Sequence, residues 1–321
     1  MSTIVITGAH GYIGSALAEK LAAEGHSLRL VSRSRGPPCI EPMRSAKVEY
    51  YAVDLRDPQS WSRMLRGADT VVHLSSRTDL RAAEANPADD EDINVRPVQT
   101  LVETAHAAVK TLTIVFASAV TIAGPDPHIP VDETTPDNPC SVYDRHKLAC
   151  ETILREAAAR GVIRACSLRL ANVYGYGRAS INANRGILNA MLKRAVGGQP
   201  LTLFGDGAYV RDFIHVHDVV DAVRLAMTES GVCDGRHYVI ASGRGHTLAE
   251  AYGLIAEVAL AQMGRRIEII RVAEPLDLHP IERRNFIGNS RAFQGRTGWR
   301  PRVDLRAGIN DYFVRAAGDG D

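Results

Sequence analysis

The stretch from Thr3 to Gly25 constrains the fold of this chain more than any other. "TIVIT" (3–7) is a short β-branched run with the character of a buried strand, and "YIGSALAEKLAAEG" (12–25) has helical spacing and stops at Gly25. Between them, "TGAHGYIG" places Gly8, Gly11 and Gly14. In such a loop one glycine permits the tight turn, a second lets backbone approach a diphosphate, and a third lets the helix lie close on the sheet. The free N–H groups and the dipole at the helix start attract phosphate. A mere cluster of turn glycines would not need a strand before it and a helix after it. The stretch points to a dinucleotide site.

The rhythm continues. "SLRLVS" (27–32), "KVEYYAV" (47–53), "DTVVHLSS" (69–76), "LTIVFAS" (112–118) and "IRACSLRLAN" (163–172) read as strands. Helices are expected from Asp57-Pro58 to Arg66, from about Pro87 to Val109, and over 143–161. Strands and helices in alternation make a parallel sheet covered on both faces, an α/β, Rossmann-like doubly wound fold. After residue 172 the rhythm breaks into "NVYGYGRASINANRG", then a helix (186–196), a strand "PLTLFG" (200–205), the segment "RDFIHVHD" (211–218) and a helix (218–229). "HYVIAS" (237–242) reads as a strand returning to the sheet, and a helix (247–262), a strand "RIEII" (266–270) and a helix from about Leu305 close the chain. The expected division is a nucleotide-binding domain over 1–172, with 211–242 returning to it, and a smaller substrate lobe over 173–210 and 243–321.

At 321 residues such a chain has ample core, and 45% apolar with 23% charged residues is an ordinary globular balance. A net charge of +1 asks for neither nucleic acid nor an anionic membrane as partner. "MSTIVITG" enters a strand with no basic segment or cleavage site, and no apolar run is long enough to span a bilayer, so a soluble, cytoplasmic protein is expected. The five cysteines form no CxxC pair and read as buried free thiols. "HVHD" (215–218) has no further ligand cluster around it, so no metal is expected, and "DDED" (89–92) reads as a helix-start cap region.

An acid at the end of the second strand would take the ribose hydroxyls of NAD. Here "VSRSRG" (31–36) offers Ser32, Arg33 and Arg35 instead. A hydroxyl and a guanidinium suit a 2′-phosphate, which favours NADP(H), with NAD(H) as the alternative. The competing reading is solvated surface arginines. Asp54, after the third strand, can accept from the adenine amino group, since Asp57 is the better helix cap.

Three pieces, "TGAHGYIG", "VDLRD" and "YDRHK", resemble the extended short-chain dehydrogenase/reductase family, and within it the nucleotide-sugar epimerase/dehydratase branch. The likeness covers nearly the whole chain, including "HLSS", "LRLANVYG" and "LTLFGDGAYVRDFIHVHDVVDAV". By this resemblance Tyr143 and Lys147 are the catalytic pair; four residues apart, they share a helix face, and an ammonium lowers the cost of forming a phenolate. The resemblance extends the cofactor site to Tyr12, Ile13, Leu55, Leu74, Ser75 and Asn94, besides Tyr143 and Lys147 themselves. It places Asn172 and Arg211 at the diphosphate of a nucleoside-diphosphate sugar and "LTLF", with Leu203, at its nucleobase. Arg283 or Arg284 adds a second clamp, with Arg284 taken as the site residue, although the usual Arg-Pro-Gly-Asp pattern is absent.

One position departs from the family. Counting back from Gly124 in "FASAVTIAG" puts Ala119 where the catalytic hydroxyl belongs. Ser118 shifts inward, or Thr121 supplies the hydroxyl, or the substrate is oriented without one. Thr121 stands where dehydratases of the family carry Glu, which argues against elimination. The arginines after the second strand tilt the reading toward a 4-ketoreductase of a 4-keto-deoxysugar nucleotide. A 4-epimerase with a retained cofactor is the alternative, and a non-catalytic NADP(H)-binding regulator is disfavoured by the Tyr–Lys pair. A homodimer through the helices of 87–109 and 143–161 is implied by the resemblance alone.

Overall fold

Where the strand Thr3–Thr7 ends at Gly8 and a helix begins at Tyr12, the computed structural model shows the chain turning back over the sheet. It describes residues 2–33, 47–106, 110–177, 186–229 and 231–318. The first elements are β1 (Thr3–Thr7), α1 (Tyr12–Ala23), β2 (Ser27–Ser32), β3 (Val48–Ala52), α2 (Pro58–Leu65) and β4 (Thr70–His73). Asp57 caps α2 through the N–H groups of Gln59 and Ser60, and Pro58 occupies its first turn, as the sequence leads one to expect. Next come α3 (Leu80–Ala85), α4 (Pro87–Asn94), α5 (Arg96–His106), β5 (Leu112–Ala119), α6 (Val142–Ala159) and β6 (Ile163–Leu170). The remainder is β7 (Asn172–Tyr174), α7 (Ile187–Val196), β8 (Leu201–Phe204), β9 (Val210–His215), α8 (Val216–Thr228), β10 (His237–Ile240), β11 (Gly245–Thr247), α9 (Leu248–Met263), β12 (Ile269–Val272), α10 (Arg291–Thr297) and α11 (Leu305–Gly318).

Seven strands form the main sheet in the order β10-β6-β5-β4-β1-β2-β3, and every neighbouring pair is parallel. The order reverses between β1 and β4, so the crevice at their carboxyl ends is where a ligand meets this architecture. Side chains alternate between the two faces. Ile4 and Ile6 pack with Leu17 and Leu21 of α1 and Val219 and Val223 of α8, while Val5 packs with Trp61 of α2, Leu101 of α5 and Leu154 of α6. Each such fully buried side chain contributes roughly 1.5–3 kcal/mol. A third cluster, with Leu188, Leu203, Ile255 and Ile309, lies beneath the small elements β7, β8, β9 and β12.

Three expectations are corrected. The single helix over 87–109 is two, α4 and α5, because Pro97 has no N–H to give the Ile93 carbonyl, and the ladder breaks at Val95; residues 107–109 lie outside the described set. The strand expected over 163–172 ends at Leu170, and Asn172–Tyr174 leaves to pair with β9 in a separate three-stranded sheet. The strand expected at 266–270 lies at Ile269–Val272, where it pairs with β8. Cys150, Cys166 and Cys233 are buried free thiols. No helix among the described residues is long and apolar enough to cross a membrane.

Candidate active site

The glycine loop is a cradle that side chains would fill. Gly8 has φ +68°, and a Cβ on it would stand 2.9 Å from the backbone nitrogen of Ser75. A Cβ on Gly14 would stand 2.9 Å from Ala9 Cα and closer still to the Gly8 carbonyl oxygen. Gly11 donates to Gly8 O at 2.8 Å and opens α1, which has no side-chain cap and no acid in its first turn. An uncapped helix start facing a glycine loop fits a dinucleotide diphosphate. Gly14→Ala is therefore expected to cost about 1–3 kcal/mol through overpacking and to empty the cofactor site. A lowered denaturation midpoint, together with the nucleotide released from purified protein, checks this; unchanged values would remove the cradle assignment.

The other cofactor candidates are distributed around this cradle. Ile13 is partly buried against the core. Tyr12 sends its hydroxyl inward toward Asn189, where burial raises its pKa well above the usual range. Ser32 ends β2 and accepts from Val53 N at 3.1 Å, and Arg33 beyond it is exposed. Arg35 lies outside the described residues. The Asp54 carboxylate is held by Arg56 at 3.0 Å and lowered in pKa chiefly by it, so it meets an adenine only if that pair opens. Leu55 is buried, and its carbonyl accepts from the Trp61 indole at 2.7 Å.

On the β4 side, the Thr7 hydroxyl accepts from Ser75 N at 3.2 Å and lies 3.0 Å from His73 Nδ1. Burial, then the charge of Lys147, push His73 down to about 3, so the ring is neutral near pH 7. Leu74 donates its N–H to Thr7 O and packs on the core. Asn94 is a tether: its Oδ1 accepts from Arg77 N at 2.8 Å and from the Ser76 hydroxyl at 3.1 Å, while its amide donates to Asp90 and to Arg77 O.

Tyr143 and Lys147 face this loop from the start of α6. Ser141 caps that helix, and its first turn carries the tyrosine. Lys147 Nζ donates to Ala117 O at 2.8 Å and stands 4.6 Å from the Phe116 ring centre and 5.6 Å from that of Tyr143. Burial pulls Lys147 down to about 8. Burial, with the charges of Asp144 and Asp90, pushes the Tyr143 hydroxyl above its usual range, and a hydrogen bond with Ser76 acts the other way. A phenol held half-buried beside an ammonium can exchange a proton with a hydroxyl whenever further positive charge is brought in.

Of the two candidate hydroxyls, Ser118 does not turn toward this pair. It donates to Glu151 at 2.5 Å, in a buried ion-pair network with Arg169 and Asp137. Thr121, in the 3-10 turn after β5, donates to Asp144 beside Tyr143.

Asn172, Arg211 and Arg284 converge. Arg284 donates to Asn172 Oδ1 at 3.2 Å. Arg211, only 4% exposed, donates to the carbonyls of Val210, Glu282 and Arg284, and among the described residues no acid lies within ion-pair distance of it. Burial, then Arg284, pull it down to about 9. Leu203 is buried beneath, against the Gly207 turn. Tyr174, the last residue of β7, and Tyr176 beyond it are core residues: the Tyr174 hydroxyl donates to Asp304 O at 3.0 Å. In "HVHD", His215 caps α8 and Asp218 accepts from the backbone of Arg302 and Val303.

Four polar neighbours of Tyr143 escape sequence reasoning. Asp144 and Asp90 are fully buried, His146 Nδ1 lies 2.7 Å from Asp90, and Ser76 reaches Tyr143. "DDED" and the charged letters inside "YDRHK" were the available signals, but acids in a first helical turn have a sufficient reason in the helix dipole.

A doubly wound parallel sheet, a glycine cradle at its switch point and a Tyr–Lys pair on the adjoining helix define an enzyme of the extended short-chain dehydrogenase/reductase class. The model of the NAD dependent epimerase/dehydratase family matches residues 4–241, and the chain belongs to that family. It is 28% identical over 313 residues to a UDP-glucose 4-epimerase of Mycolicibacterium smegmatis, covering 95% of each chain. The UDP-glucose 4-epimerase of Thermotoga maritima, solved with UDP-glucose, superposes with a TM-score of 0.87 at 25% identity, over 99% of this chain and 100% of that one. That of Thermus thermophilus, solved with NAD, gives 0.81 at 28%, over 98% and 99%. The protein is thus an NAD-dependent nucleotide-sugar enzyme of the epimerase/dehydratase type.

Proposed function

We propose that the protein is a UDP-hexose 4-epimerase that retains its nicotinamide cofactor through the cycle. The observation that carries this reading is end-to-end likeness to 4-epimerases in both sequence and structure. The reductase reading leaned on two arginines, of which Arg33 is an exposed side chain and Arg35 is outside the described residues. We propose NAD as the cofactor, as in the Thermus relative.

A bound nicotinamide dinucleotide supplies a hydride acceptor that later gives the hydride back. Tyr143 takes the proton of the C4 hydroxyl as the C4 hydrogen leaves, and returns it when the ketone is reduced from its other face. Lys147 stabilises the phenolate that Tyr143 must be before the first event and becomes again after the second. Arg211, Arg284 and Asn172 hold the diphosphate, so the sugar can turn while its anchor stays fixed. With Ala119 in the usual place and Ser118 bonded to Glu151, Thr121 is the hydroxyl that remains near the sugar.

Incubating the purified protein with UDP-glucose should produce the C4 epimer with no added cofactor and no net change in nicotinamide absorbance. Denatured protein should release NAD. Mole-for-mole consumption of NADPH with a 4-keto sugar nucleotide would instead restore the reductase reading.

A further inference from the structure

Asp144 takes no part in the steps above, yet it is fully buried beside Tyr143. One carboxylate oxygen accepts from the Ser141 hydroxyl at 2.6 Å, and Ser141 in turn accepts from Asp144 N at 3.0 Å. That reciprocal pair completes the cap of α6. The other oxygen accepts from the Thr121 hydroxyl, a bond the cap does not need. The charge of Asp144 also acts on Arg284, which gives N–H groups to Ile281 O at 2.7 Å and Asn172 Oδ1 at 3.2 Å. Among the described residues the Arg284 Nε–H is buried without a partner, and no carboxylate lies within ion-pair distance of this guanidinium.

Two consequences follow for a sugar whose C4 lies at Tyr143. Thr121 has one proton and gives it to Asp144, so toward anything else its oxygen only accepts. A sugar hydroxyl can donate to it, and a carboxylate cannot. The neighbouring C5 substituent is the group that distinguishes a neutral hexose from a uronic acid, and a uronate would bring a second negative charge to a buried carboxylate. Arg284 offers it no refuge, because that guanidinium holds the diphosphate.

We propose that Asp144, acting through Thr121 and through its own charge, is a specificity-determining residue that selects nucleotide sugars with a neutral, hydroxyl-bearing C5 substituent over nucleotide uronic acids. This rests on the nucleotide-sugar reading of the site and adds the substrate class to it.

The test is calorimetric binding of UDP-glucose and UDP-glucuronate to the cofactor-loaded protein. The wild type should bind UDP-glucose more tightly by about 100-fold, the scale on which like charges are rejected at an interface. Asp144→Asn keeps an acceptor for the cap and removes the charge; it should narrow the ratio at least about tenfold, mainly by tighter binding of the uronate once the like charge is gone. Thr121→Val leaves cap and charge intact; it should weaken UDP-glucose by about 2–10-fold, one hydrogen bond, without improving the uronate. Equal affinities in the wild type overturn the proposal, as does failure of UDP-glucose to bind. An unchanged ratio in Asp144→Asn also overturns it. If that variant does not fold, a Thr121→Val protein that binds UDP-glucose as well as the wild type does so instead. Preferential binding of UDP-glucose without turnover leaves this proposal standing and removes the epimerase reading.

Discussion

Tyr143→Phe should lower the turnover of UDP-glucose by about 10²–10⁴-fold, the range for a positioned acid–base group. The ring keeps its packing and only the hydroxyl is lost, so the released cofactor and the KM should stay close to wild type. Lys147→Met tests the electrostatic half of the pair. The ammonium lies 5.6 Å from the tyrosine ring, and burial has already pulled it down to about 8. It is therefore still largely charged at neutral pH, and its charge fades as pH rises through that value. A nearby positive charge favours phenolate over phenol, so removing it raises the pH at which Tyr143 ionises. The acidic limb of kcat/KM against pH should move upward in Lys147→Met. A limb that stays in place, or a Tyr143→Phe enzyme of wild-type rate, would sink the assignment of this pair.

The sheet and its glycine loop were legible because both rest on local rules. Alternating apolar runs leave little freedom in where strands fall, and a glycine whose added Cβ would meet Ser75 backbone has no substitute. The break between α4 and α5 was equally available in Pro97 and was overridden by a long run of helical spacing. The departure of Asn172–Tyr174 from the main sheet was not legible, since the letters around Ala171 are as strand-like as those before them and only the partner β9 decides which sheet they join. The same limit governs the site. Tyr143 and Lys147 share a helix, so spacing pairs them, whereas Asp90, Ser76 and Asp144 reach the tyrosine from separate elements or from roles that capping already explains. Ser118 shows the converse: its place in the motif suggested the site, but its buried partners Glu151 and Arg169 lie 33 and 51 residues further along the chain.

Arg211→Ala should weaken UDP-glucose by about 30-fold to several thousand-fold, the range for truncating one member of a buried charge-assisted contact, while kcat on saturating substrate changes little. The clamp is held equally in ground and transition states, so its loss appears in KM. In the free protein this guanidinium is supported by three backbone carbonyls, and burial, then the charge of the nearby Arg284, pull it down to about 9. A diphosphate relieves that repulsion, so UDP should raise the melting temperature of the wild type, and the rise should shrink in Arg211→Ala. Arg211→Lys keeps a charge but not the planar fork, and should fall between the two. Stripping the carbonyls of their donor also costs the free protein about 1–3 kcal/mol for each one left unpaired, so a fall in melting temperature alone would not identify a clamp. The discriminating comparison is UDP against uridine. Affinity for UDP should drop in parallel with that for UDP-glucose, because both carry the diphosphate, while any affinity for uridine should be untouched. A variant that loses all three equally has a disturbed pocket, and one that loses none shows that the diphosphate is held elsewhere.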